Sequence, residues 1–156
     1  MRLLHISDLH LGKRVNEYSM LEDQAHILEQ ILKIADQEQA QGVLIAGDVY
    51  DKPVPPAEAV RLLYYLLSSF ADRKIRVFFK SVNHDSRDRL SFGAELFKKG
   101  GVYMASEGFL EKVDREDEYG ELSIWLMPFL KPAQVRSVYP EKDIQTYTDA
   151  VRAVLE

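Results

Sequence analysis

Cysteine is absent from this chain of 156 residues. Disulfide bonds and thiolate metal sites are thereby excluded, and a reducing cytoplasm is the expected setting. No apolar stretch approaches the roughly 18 residues that a membrane-spanning helix needs, so no membrane association is expected. The only apolar stretch at the N-terminus is broken by His5 and Asp8 and lacks the layout of a signal peptide. Positive charge is in the minority: 20 Lys and Arg stand against 25 Asp and Glu, a formal net charge of −5. A domain that holds nucleic acid by charge alone carries a basic face. Here the nearest approaches to a basic cluster are Lys98-Lys99 and Arg87 with Arg89. Contact with DNA or RNA must then be local, or shared with a bound cation or a partner chain. Internal repeats and low-complexity segments are also missing.

What remains is a globular composition, 46% hydrophobic and 29% charged, long enough for one domain with its own core. Its pattern alternates. RLLHIS (2–7) predicts a strand, and residues 20–40 a helix with Leu21, Ala25, Leu28, Leu32 and Ala35 on one stripe, closed by Gly42. The continuous apolar run GVLIAGD (42–48) predicts a strand buried on both faces. Pro55-Pro56 opens a second helix with Ala59, Leu62, Leu63, Leu66 and Phe70 inward. IRVFFKS (75–81) predicts a third strand, and residues 88–99 a helix ending at Lys98-Lys99 and Gly100. Such alternation implies right-handed crossovers and a parallel sheet, an α/β fold. Beyond Gly101, VYMA (102–105), FLEKV (109–113) and LSIWLM (122–127) predict short strands, the last two joined across DREDEYG. Helices are expected to start at Pro132 and Thr148, the latter running to the C-terminus without a stop signal.

In parallel sheets ligands bind outside the carboxyl ends of the strands. At those ends stand Asp8-x-His10, Gly47-Asp48 and Asn83-His84-Asp85. Each has a bland reading on its own: a polar strand end, a tight turn, an Asx turn. Three in succession on one edge point to a metal site. In an extended strand residues i and i+2 face the same side, so Asp8 and His10 are expected to grip one ion together. Asp48 adds a carboxylate from the neighbouring strand end and Asn83 an amide oxygen. This mixed N/O set suits Mn²⁺, Fe²⁺ or Zn²⁺. Phosphoesterase centres hold two cations about 3.5–4 Å apart under a bridging ligand. Asp48 is placed to bridge, His84 to donate a proton or stabilise charge, and Asp85 to orient His84. His5 faces away and is expected in the core or supporting a ligand from behind. His26 is expected at the surface of the first helix. Trp125, Phe78 and Phe79 are core candidates, and Tyr64-Tyr65 a helix-face pair.

ISDLHLGK, IAGDVYDKPVPP and NHDSRDRLSF resemble the first three motifs of the calcineurin-like metallophosphoesterases, in wording closest to the SbcD branch. The resemblance covers the whole chain, Arg89-Leu90-Ser91-Phe92 included. It implies a four-layer α/β/β/α sandwich, of which residues 1–156 would be the N-terminal portion without the capping domain. Asp8 and His10 would bind the first metal, Asp48 would bridge, Asn83 would bind the second, and His84 would be the catalytic histidine. Mn²⁺ is the implied metal, with Mg²⁺, Fe²⁺ or Zn²⁺ as substitutes. The implied activity is DNA exonuclease and endonuclease within a repair complex. The implied partners are DNA, an SbcC-like ATPase of SMC type, and a second copy in a homodimer of the full-length protein.

Two departures bear on activity. The family completes its centre with three later histidines, two of them in Gly-His-x-His, whereas this chain has only His5, His10, His26 and His84. The metal site is therefore expected to be incomplete and the isolated chain inactive. Val82 also stands where the family has glycine, and Lys80 is polar within an apolar strand. Two other readings compete with the nuclease: a non-catalytic interaction module of the same fold, and a metallophosphoesterase acting on nucleotides or phosphoproteins.

Overall fold

The computed structural model describes residues 1–79, 94–104 and 109–156. Its centre is a parallel four-stranded sheet. Strand β1 (Leu3–Ser7) is followed by a small antiparallel hairpin, β2 (Arg14–Val15) and β3 (Tyr18–Ser19), and by helix α1 (Leu21–Gln37). Then come β4 (Gly42–Ala46), α2 (Ala57–Asp72), β5 (Arg76–Phe79), α3 (Ala94–Lys99) and β6 (Val102–Met104). The strands lie in the order β1-β4-β5-β6, all parallel, with Leu3 opposite Gly42 and Gly42 opposite Arg76. This is the α/β architecture that the alternating pattern predicts.

Both long helices bury the expected stripes. Leu28, Leu32 and Ala35 of α1 and Ala59, Leu63, Leu66 and Phe70 of α2 join Val43, Ile45, Val77 and Phe79 in one core. Burial at about 25 cal/mol per Å² of apolar surface is what holds these helices to the sheet. Pro56 stands immediately before α2 in extended conformation, as the sequence predicts.

Gly42 does not close α1. The helix ends at Gln37 in a Schellman turn, the Gln39 amide donating to the Asp36 carbonyl and the Ala40 amide to that of Ala35, with Gln39 at φ 51°. Gly42 instead opens β4 at a crowded point. A Cβ there would stand 2.8 Å from Leu3 Cδ2 and 3.1 Å from Phe78 Cε2. Glycine allows those side chains to meet over the strand.

The second face of the sheet carries a hairpin, β7 (Glu111–Asp117) and β8 (Gly120–Leu126). Phe78, Val113, Ile124 and Leu126 form the core between the two sheets, with Phe78 stacked on Tyr103 at a centroid distance of 5.4 Å. The described elements therefore include an α/β/β succession of layers. The polar stretch 114–120 is mostly strand. Only Glu118 and Tyr119 make the turn, with the Asp117 carboxylate accepting from the Tyr119 amide at 2.8 Å. Trp125, expected in the core, is 55% exposed, because alternation along β8 turns Ile124 and Leu126 inward and Trp125 outward.

Helices α4 (Pro132–Val138) and α5 (Tyr147–Leu155) pack together around Val135, Ile144, Ala150 and Ala153. The last helix begins one residue before Thr148, with Thr146 as its N-cap in a capping box with Asp149. The Thr146 hydroxyl and amide hold the Asp149 carboxyl below the usual range. Among the described residues no helix is long and apolar enough to cross a membrane.

Candidate functional site

The carboxyl ends of β1, β4 and β5 share one edge, since Ser7 pairs with Ala46 and Ile45 with Phe79. At that edge the chain leaves β1 while remaining bonded to its neighbour. The Asp8 amide donates to the Ala46 carbonyl at 3.0 Å, the His10 amide to the Asp48 carbonyl at 3.0 Å, and the Leu11 amide to the Val49 carbonyl at 2.8 Å. Asp8 and Asp48 are thus brought side by side from positions 40 apart in sequence, and the Asp48 amide points at Asp8 Oδ1 at 3.4 Å.

The extended geometry expected for Asp8-x-His10 is not what is found. Strand β1 ends at Ser7, and both Asp8 (φ 55°) and His10 (φ 44°) adopt the left-handed conformation, followed by Gly12 (φ 87°). Asp and His are among the non-glycine residues that enter this region most readily, at a cost of about 1–2 kcal/mol each. Strain of this kind concentrates at functional sites. The i, i+2 alternation therefore does not set these side chains. The imidazole of His10 lies toward Asp51, its Nδ1 3.9 Å from Asp51 Oδ1.

Gly47 explains why the turn after β4 must be glycine. Its φ is 79°, and a Cβ would lie 2.9 Å from Asp8 Cγ and 3.1 Å from the Asp8 nitrogen. The carboxylate of Asp8 occupies the space that any side chain at 47 would need. Gly47→Ala is expected to destabilise the fold by about 1–3 kcal/mol through the positive φ and the overlap with Asp8. Urea denaturation measures it; a loss below about 0.5 kcal/mol, the scale of an ordinary surface change, would show that Asp8 yields freely.

Three features of this edge are not announced by the sequence pattern. Asp51 reaches His10 because Leu11 and Tyr50 bridge in parallel and the Asp51 amide donates to the Leu11 carbonyl at 3.2 Å. The β2–β3 hairpin turns through Asn16 (φ 48°) and Glu17 (φ 69°), a primed turn for which Asn is the one signal. Gln24 of α1 contacts the loop 9–12 by its side-chain amide. His5 is exposed on β1 and not in the core, as β1 lies at the edge of its sheet. His26 is exposed, paired with Gln30 Nε2 at 2.7 Å.

Asn83, His84 and Asp85 lie outside the described residues, as do Lys80, Val82, Arg87 and the segment Arg89-Leu90-Ser91-Phe92. Carboxylates and an imidazole at one sheet edge are donors that fit a divalent cation. Among the described residues, however, no three His, Asp or Glu side chains gather within reach of one ion. Asp8 and Asp48 adjoin, whereas His10 pairs with Asp51; further donors are needed to close a site.

The calcineurin-like phosphoesterase family model matches residues 1–150. The SbcD subunit of nuclease SbcCD from Staphylococcus epidermidis is 34% identical over 157 residues, covering 100% of this chain and 41% of that protein. The protein of the same name from Staphylococcus saprophyticus is 31% identical over 156 residues, covering 99% of this chain and 41% of its own length. The chain thus spans about two fifths of the length of these curated relatives. With a parallel sheet whose carboxyl edge joins Asp8 to Asp48, and a family match over nearly all of its residues, the chain belongs to the calcineurin-like phosphoesterases.

Proposed function

We propose that this chain is the part of a metal-dependent DNA nuclease that binds the first cation and faces the scissile phosphate. The observation that carries the reading is the junction of Asp8 and Asp48 across Gly47, two carboxylates held together where their repulsion calls for a cation. In this reading Asp8 and His10 are ligands of the first metal, Asp48 bridges, and Asn83 serves the second. Divalent cations, Mn²⁺ foremost, supply water activation and neutralisation of phosphate charge when bound. His84 donates a proton to the leaving oxygen and Asp85 orients it. Asp51 is suited to hold the His10 ring from behind, in the manner of carboxylates that support metal-binding imidazoles.

The names of the staphylococcal relatives support DNA as substrate and an SbcC-type, SMC-like ATPase as partner in the full-length protein, which would act as a cytoplasmic homodimer. The net charge of −5 agrees with DNA held by cations at the site and by a partner and not by a broad basic face. The test is cleavage of end-labelled duplex DNA in Mn²⁺ by the full-length gene product. His84→Ala and Asp48→Asn are expected each to lower the rate at least about 100-fold. Undiminished cleavage in both variants would overturn the assignment.

A further inference from the structure

The loop from Leu9 to Gly12 has two left-handed residues, His10 and Gly12, yet only part of its backbone is bonded to the sheet. The remainder is bonded to one side chain. Gln24 Nε2 donates to the His10 carbonyl at 2.8 Å and to the Leu9 carbonyl at 3.3 Å, while Gln24 Oε1 accepts from the Gly12 amide at 3.0 Å. All three backbone groups face Gln24 from a loop 12 to 15 positions away in sequence. Gln24 is itself seated early in α1, its amide bonded to the Met20 carbonyl at 2.8 Å, and it is partly buried.

Few side chains can do this. Two carbonyls require donors and one amide requires an acceptor, so the group must carry both on one short arm. A carboxylate has only acceptors and a lysine only donors. Asparagine is one methylene shorter. The glutamine is therefore matched to a backbone that turns through positive φ at both His10 and Gly12.

We propose that Gln24 is a positioning residue for the candidate metal loop: its amide fixes the left-handed course of residues 9–12 and thereby presents His10. The inference rests on the reading of His10 as a ligand for its consequence, but not for the clamp itself. It separates Gln24 from the apolar residues of α1, whose buried stripe holds the helix to the sheet.

The test uses this 156-residue chain, wild type against Gln24→Met, which keeps length and helix propensity, and Gln24→Glu, which keeps the acceptor but loses the donors. Two readouts are taken: backbone carbon shifts with amide exchange at residues 8–12, and Mn²⁺ affinity by titration. In Gln24→Met the Gly12 amide is expected to exchange about tenfold faster, with protection in the rest of α1 retained. The Cα and Cβ shifts of His10 should move away from left-handed values in both variants. Mn²⁺ affinity should fall by about 10- to 100-fold, the usual consequence of losing a group that orients a ligand. A purely structural role would instead lower protection along the whole of α1. Unchanged His10 shifts and Gly12 exchange in Gln24→Met would overturn the clamp. Altered shifts with unaltered Mn²⁺ affinity would overturn its role in presenting His10. Wild-type protein that binds no Mn²⁺ would count against the metal reading, while the shift changes would still support the clamp.

Discussion

Incubated with linear duplex DNA and Mn²⁺, the 156-residue chain by itself is expected to release no nucleotide above background. Enzymes of this class lower the barrier to phosphodiester hydrolysis by many kcal/mol, and two correctly held cations account for most of that. The family completes its cation pair with three imidazoles beyond the motifs found here. This chain has His5, His10, His26 and His84 and no others. His5 is exposed on a sheet edge and His26 is exposed on α1 bonded to Gln30, so neither substitutes. His84 acting as a proton donor contributes typically about 10²–10⁴-fold, far short of a measurable rate from so slow a background. Release of acid-soluble nucleotides is the readout. Cleavage that copurifies with the chain and vanishes in His84→Ala would show that the missing imidazoles are dispensable.

Phe78→Ala is expected to cost about 3–5 kcal/mol of folding stability, the range for truncating a buried aromatic. Phe78 is 1% exposed and belongs to the core between the parallel sheet and the β7–β8 hairpin, stacked on Tyr103 and packed with Val113, Ile124 and Leu126. A domain of this size has roughly 5–15 kcal/mol in total. The variant should accordingly unfold at much lower urea concentration, with amide protection lost first in β7 and β8. Since the helix-bearing core on the other face of the sheet does not include Phe78, that core should retain protection longer. A loss below about 1 kcal/mol, typical of a poorly packed position, would show that the hairpin is not seated on the sheet through Phe78.

The sheet and its helices were legible because the signals are long and periodic. GVLIA is apolar throughout and largely buried; the stripes of α1 and α2 repeat over several turns and pack inward as their spacing predicts. That carboxylates gather at the strand ends follows from parallel pairing alone, and Asp8 and Asp48 do adjoin. Local backbone geometry was not legible. Period-two reasoning fails at Asp8 and His10 because the strand has already ended and both residues are left-handed, a choice made by bonds to β4 and to Gln24 that no local pattern announces. The end of α1 is hidden for a related reason: Gln39 takes the left-handed position that glycine usually marks, which leaves Gly42 as the false signal. Trp125 turns outward against expectation because both faces of β8 carry apolar residues, so alternation alone does not say which side is inward. The strands of two residues in the β2–β3 hairpin are too short to have a period.

The central claim, that the joined carboxyl ends of β1 and β4 form a cation site, is tested most directly by titrating Mn²⁺ into this chain and following it by calorimetry and electron paramagnetic resonance. The expected result is one weak saturable site in the wild type, lost in Asp48→Asn and in Asp8→Asn while the thermal unfolding transition is retained. Saturable binding that persists undiminished in both variants, or no binding to the wild type at any attainable Mn²⁺ concentration, would contradict it.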